Sequence, residues 1–180
     1  MYGLVTGGCV VGVYVCDDAD FASSQGWVPL PDGVSIGWTY NPDRAQPFQR
    51  PAREPTTDEK IASIDARCAQ VLARGAPYGD RRIAIHDTGR TDLGGMATTA
   101  IAALAGALSW PENYALGWIA MDNTRVPLPT PADGLAVADA AARYYAAARQ
   151  RARDLKDQAL AAADAAALNA IDINSGWPEA

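Results

Sequence analysis

Trp118-Ile-Ala-Met-Asp-Asn-Thr-Arg-Val-Pro-Leu128, WIAMDNTRVPL, places an acid and an amide between two short apolar runs. Asp122 and Asn123 are either the bend of a hairpin or a catalytic or metal pair. Asn and Asp tolerate positive φ, and two such residues between apolar runs are a signal for a two-residue turn. No obvious second carboxylate or histidine accompanies them, so the turn is the better reading. The runs 117–121 and 124–128 are then paired.

Working outward, helical periodicity dominates on both sides. Pro131 suits the first turn of a helix, and 132–161 is the longest helical pattern in the chain. Asp164 can cap a shorter helix ending near Ile171. On the N-terminal side, Thr57 can cap a helix whose Ile61, Ile64, Cys68, Val71 and Leu72 share one face, ending at Gly75. Residues 82–86 read as a strand. Thr91 or Asp92 then caps an alanine-rich helix with Leu93, Met96, Ala100, Leu104 and Leu108 inward.

The first 50 residues follow a period of two instead. The β-branched run 10–15 follows the turn Thr6-Gly7-Gly8, and 26–30 and 34–40 read as two further strands around Pro31-Asp32-Gly33. Alternation sends Val34, Ile36 and Trp38 to one side. The expectation is about four strands. Pro42, Pro47, Pro51 and Pro55, with three arginines, mark a linker, with a last edge strand allowed over 43–47. The expected fold is therefore α+β: an N-terminal β-module over 1–50, a proline-rich linker over 51–56, and a C-terminal module of helices with a short β-hairpin over 57–180.

Composition narrows the function. The 180 residues carry a net charge of −6, which argues against sequence-independent nucleic-acid binding. Residues 1–16 are apolar but lack a basic start and are broken by glycines, so no signal peptide is expected, and no apolar run is long enough for a membrane span. Cys9, Cys16 and Cys68 have no metal-ligand spacing and read as buried, reduced thiols. Asp17-Asp18-Ala19-Asp20 lacks the spacing of a calcium loop and reads as a solvated loop. His86-Asp87 suggests half of a triad, but no nucleophile-elbow pattern accompanies it. The glycine-bearing stretch 89–95 lacks the lysine of a phosphate loop. Arg143, Arg149, Arg151 and Arg153 read as a helix face meeting water or acids such as Asp154 and Asp157. Trp27, Trp38, Trp118 and Trp177 each follow a glycine, as packing or partner-contact residues. No catalytic, cofactor-binding or metal residue is expected.

In order, Trp118, Asp122-Asn123, Val126-Pro127-Leu128, the helix bearing Arg151-Ala152-Arg153-Asp154-Leu155-Lys156, and the closing Ala170-Ile171-Asp172-Ile173-Asn174-Ser175-Gly176-Trp177-Pro178 form a specific set. With it, residues 80–178 resemble the C-terminal domain of unknown function found in tail and tail-fibre proteins of tailed bacteriophages. The chain departs from that pattern over Ile85–Thr91. The first 50 residues, with GWVPLP and SIGWTYNPD, look like the small β-unit that begins many phage tail proteins. The resemblance implies a non-enzymatic structural protein of the virion, made in the host cytoplasm and placed at tail tip, baseplate or fibre. It implies other tail or fibre proteins as partners, and it is compatible with a homo-oligomer such as a trimer. It also implies a turn, with no catalytic role, for Asp122-Asn123. The alternatives are a fibre-assembly chaperone absent from the finished particle and a small enzyme using His86 and Asp87.

Overall fold

The computed structural model describes residues 1–51 and 53–179; Ala52, within the expected linker, and Ala180 lie outside the described residues. The chain is α+β and divides into two compact units, Met1–Glu54 and Pro55–Ala180.

The first unit is built on a hairpin of β1 (Tyr2–Thr6) and β2 (Cys9–Tyr14), turned by Gly7 and Gly8, both at positive φ. A bulge between Leu4 and Val5 shifts the register. β3 (Val28–Pro29), β4 (Thr39–Tyr40) and β5 (Phe48–Gln49) complete an antiparallel sheet in the order β3-β1-β2-β4-β5. Val10, Leu30 and Val34 form its small core. This sheet has five strands, one more than the sequence suggests. The acidic stretch before β3 starts a helix, α1 (Ala19–Ser24), because the Asp18 carboxylate accepts from the Asp20 and Phe21 amides.

Two sequence expectations fail here, both where turn bonds shape the chain. Residues 34–38 are not a strand, because Val34 N–H bonds to Pro31 and Trp38 N–H to Ser35, and Gly37 sits at φ +90. Val34 is therefore buried while Ile36 is 64% exposed. The edge strand lies at Phe48–Gln49 and not at 43–47, where Asn41 instead organises a loop through its own side chain and the Asn41–Pro47 backbone bond.

In the second unit, α2 (Thr57–Ala73) begins with a reciprocal capping box between Thr56 and Glu59, so the cap is Thr56 and not Thr57. Gly75, at φ +76, turns the chain into the hairpin β6 (Ala76–Tyr78) and β7 (Arg81–Ile83). The strand read at 82–86 thus ends at Ile83. α3 (Asp87–Leu104) starts earlier than Thr91 or Asp92, capped by His86. A short helix α4 (Glu112–Ala115) precedes the hairpin β8 (Trp118–Ile119) and β9 (Arg125–Val126). α5 (Pro131–Ala161) opens with a second capping box, Thr130 with Asp133. α6 (Ala165–Ala170), capped by Asp164, ends the secondary structure.

α5 passes through both hydrophobic clusters of this unit. Val137, Ala141, Tyr144 and Ala148 pack with Val71, Ile83, Leu93, Met96 and Leu128. Further along, Ala152, Leu155 and Ala159 pack with Ile64, Cys68 and Leu168. Leu93 and Met96 of α3 pack into this core and Ala100 is also buried, but Leu104, the last residue of α3, and Leu108, beyond its end, both expected inward, are exposed. Of the three cysteines only Cys68 is buried; Cys9 and Cys16 are half-buried, so the reading of all three as buried thiols is corrected.

After α6 the chain is fastened back onto α5. Arg151 donates to the Ser175 carbonyl from Nε (3.2 Å) and Nη2 (3.0 Å), which corrects its reading as a surface charge. A Cβ at Gly176 would come within 3.0 Å of the guanidinium carbon. Trp177 packs against both clusters and donates its indole N–H to the Ile173 carbonyl. Replacing a buried Trp by Ala costs ~3–5 kcal/mol. For the half-buried Trp177, Trp177→Ala is expected to lower stability by about 2 kcal/mol and to raise hydrogen exchange in α6; an unchanged denaturation midpoint would mean that the closing segment is not an anchor.

Candidate functional site

The start of α3 is the most chemically mixed place in the second unit. His86 sits in extended backbone just before the helix, where its Nδ1 accepts from the Gly89 amide at 3.1 Å. An imidazole nitrogen that accepts carries no proton, so the remaining polar atom, Nε2, is a donor. Gly89 is required here, because a Cβ would come within 2.6 Å of the Ala84 carbonyl oxygen. Asp87 accepts from Arg90 at 2.7 Å, and the Arg90 guanidinium carbon stands 4.2 Å from the Tyr145 ring centre. His86 and Asp87 therefore each hold a structural partner, and their bonds do not link them to each other. The stretch 89–95 lies inside α3 and forms no loop.

Three depressions border this turn. One, of about 300 Å³, runs between α3 and α5 over Gly94, Ala97, Ala138 and Ala142, with Arg90 and Tyr145 also lining it. A second, of about 370 Å³, is lined by Leu72, Gly75, His86, Met121 and Arg149. The third, of about 390 Å³, has a different chemistry: Tyr114 and Trp118 supply half-buried rings, and His86, Asp92, Asn113 and Arg125 supply planar polar groups. Its floor includes Ala84, Gly89 and Gly117. Gly117 has φ +107, and a Cβ on it would meet the Val126 carbonyl oxygen at 2.6 Å, so this close approach of β8 and β9 admits only glycine. Arg125 is fixed by donating to the Gly117 carbonyl at 3.0 Å. Tyr114 is stacked on Trp110 (5.0 Å between ring centres), and Trp110 donates its indole N–H to Leu128. Asp92 and Asn113 are exposed, and their side chains hold no hydrogen bond among the described residues.

Asp122 and Asn123 lie in the loop between β8 and β9, away from these rings. Asn123 N–H bonds to the Ala120 carbonyl and Ala120 N–H to that of Thr124, which makes a three-residue loop, 121–123, and not a two-residue turn. Only Asn123 has positive φ (63). Asp122 accepts from the Thr124 hydroxyl (2.6 Å) and amide (3.0 Å) and pairs with Arg81 at 2.6 Å, tying this loop to the β6–β7 hairpin. The Met121 amide, bonded to the Arg82 carbonyl, adds a backbone tie.

The other residues singled out in the sequence are spread through the fold. Trp27 stacks on Tyr14 (4.4 Å between ring centres), Trp38 flanks the small core of the first unit, and Trp177 closes the second. Arg143 and Arg153 pair with Asp139 and Asp157 one helical turn away. No group of three or more metal-ligating side chains occurs among the described residues. Tyr114 and Asn113 were not legible as site residues, since they lie on a four-residue helix with no periodicity to announce it; Pro111, at its start, was the one available signal.

Hydrogen bonds from the Thr124 hydroxyl and amide, with Arg81 adding to them, hold the Asp122 carboxyl at about 2, below its ordinary 3.8. A carboxyl depressed on folding stabilises above the unfolded value, and that contribution disappears as pH falls through the folded one. Asp122→Asn is therefore expected to melt below the parent at neutral pH, with the gap closing as pH falls from about 4 toward about 2; a pH-independent gap would remove the charge from the account. At the next position, Asn123→Gly is expected to be neutral or stabilising in chemical denaturation, whereas Asn123→Val should cost about 1–2 kcal/mol.

No curated protein and no solved structure matches the chain. A family model does match, over residues 55–174, which is most of the second unit. The chain belongs to the family described as a domain of unknown function, DUF4376.

Proposed function

We propose that the protein is a non-enzymatic structural component of a tailed bacteriophage, joining tail proteins at the tail tip, baseplate or fibre. The reading is carried by the ordered sequence set from Trp118 to Pro178 that resembles phage tail and tail-fibre proteins. The architecture is compatible with a connecting role. Each unit has its own core, so one chain offers two separately folded surfaces. Both also leave large apolar side chains at the surface, Val15 and Ile36 on the first, Ile101 and Leu116 on the second. The partners on this reading are other tail or fibre proteins, and the place of action is the virion.

Mass spectrometry of purified particles tests this. The protein is expected among the virion proteins at a fixed ratio to a tail protein. Its absence from finished particles that need it for assembly would overturn the structural role in favour of an assembly chaperone. Asp87→Ala, outside the third depression, is expected to leave particle yield and infectivity intact, apart from the loss of its exposed ion pair with Arg90; a well-folded Asp87→Ala protein that abolished infectivity would bring back the enzyme reading.

A further inference from the structure

The third depression at the start of α3 is built differently from its neighbours. The α3–α5 groove is lined mostly by apolar side chains and glycine, and its Arg90 and Tyr145 already engage each other. The third depression instead sets two aromatic rings, Tyr114 and Trp118, beside four planar polar groups from three different elements and the turn before α3. Its parts are held in place: Tyr114 by stacking on Trp110, Arg125 by the Gly117 carbonyl and His86 by the Gly89 amide. Two glycines that cannot carry a Cβ bring backbone to its floor. Asp92 and Asn113 keep their hydrogen-bonding capacity unspent among the described residues.

This combination matches the chemistry of a sugar ring. A pyranose presents a face of C–H groups that packs on an aromatic ring, and an edge of neighbouring hydroxyls that each donate and accept. Carboxylate and amide side chains bind such hydroxyl pairs through two atoms at once, and an imidazole N–H or guanidinium adds a donor. An apolar surface with a few convergent polar groups is the usual form of a small-molecule site, and about 390 Å³ lies in the range of such sites. A divalent cation fits poorly, because the lining offers one carboxylate and one imidazole. A phosphate group also fits poorly, since the Asp92 carboxylate lines the same depression and would repel it.

We infer that this depression binds a saccharide, with a ring seated against Trp118 or Tyr114 and its hydroxyls held by Asp92, Asn113 and the His86 Nε2–H. The inference rests on the lining and not on a virion role, and either reading can fail without the other. The test uses the full chain with methyl glycosides of glucose, galactose, mannose, rhamnose and N-acetylglucosamine as probes, followed by saturation-transfer NMR and tryptophan fluorescence. At least one probe is expected to bind in the millimolar range, as suits an open site. Asp92→Ala and Asn113→Ala are each expected to weaken that binding roughly tenfold, the effect of losing a hydrogen bond of this kind. Asp139→Ala, outside the depression, should leave it unchanged. Both test positions are exposed, so the variants should keep the parent's circular dichroism. Failure of every probe to bind, or binding equally tight in all the variants, would overturn the assignment.

Discussion

The second unit depends on one helix face made mostly of small residues. Along α5, Gly134, Val137, Ala141, Tyr144, Ala148, Ala152, Leu155 and Ala159 are buried in succession, at spacings of three and four. Small side chains let neighbouring helix backbones approach closely, and the large volumes come from the partners, Ile64 on α2 and Met96 on α3. At Gly134 a Cβ would lie 2.8 Å from the Trp110 ring, so this position has room for no side chain. Alanine adds little apolar area per residue, so the helix gains its stability by length and by the number of elements it touches. α2, α3, β6 and the closing segment at Trp177 all pack on it.

That arrangement also places the candidate site. Packing on α5 fixes α3 at Leu93 and Met96, and thereby fixes the turn that holds His86 and Gly89. Trp118 and Val126 anchor the β8–β9 hairpin in the same core. The rings and polar groups around Asn113 are thus displayed from elements that are individually short and could not hold a geometry alone. Four residues of α4 and two-residue strands have too few backbone bonds to be stable without tertiary contacts.

How far the sequence disclosed this follows the same physics. α2 and α5 were legible from their helical periodicity, with Pro131 marking the start of α5, and α6 from its Asp164 cap. The α2 cap was placed one residue late, at Thr57, and the Thr130 cap of α5 went unread. The α3 cap was not legible either, since histidine rarely caps and Gly89 to Gly95 resembled a loop. In the first unit, alternation over 34–40 pointed to a strand, and turn bonds to the Pro31 and Ser35 carbonyls left only 39–40 as one, β4. The acidic run at 17–20 concealed a helix start for the converse reason, that an Asp before a short helix looks like any polar loop. Asp122 and Asn123 announced a turn but not its length, which is set by the backbone bonds of Ala120. The rings of the candidate site come from separate elements, and single-chain spacing carries no trace of their meeting.

If the α5 face is the common support, enlarging one of its alanines must disturb helices on both sides. Ala148 is fully buried, and its carbonyl lies next to the Cys68 thiol of α2. Adding a leucine side chain at such a position typically costs ~1–3 kcal/mol by overpacking. Hydrogen exchange on Ala148→Leu, read residue by residue, tests the claim directly. The account predicts that protection falls together in α2, α3 and the β8–β9 hairpin. Protection lost only in α2, with α3 and the hairpin unchanged, would contradict it.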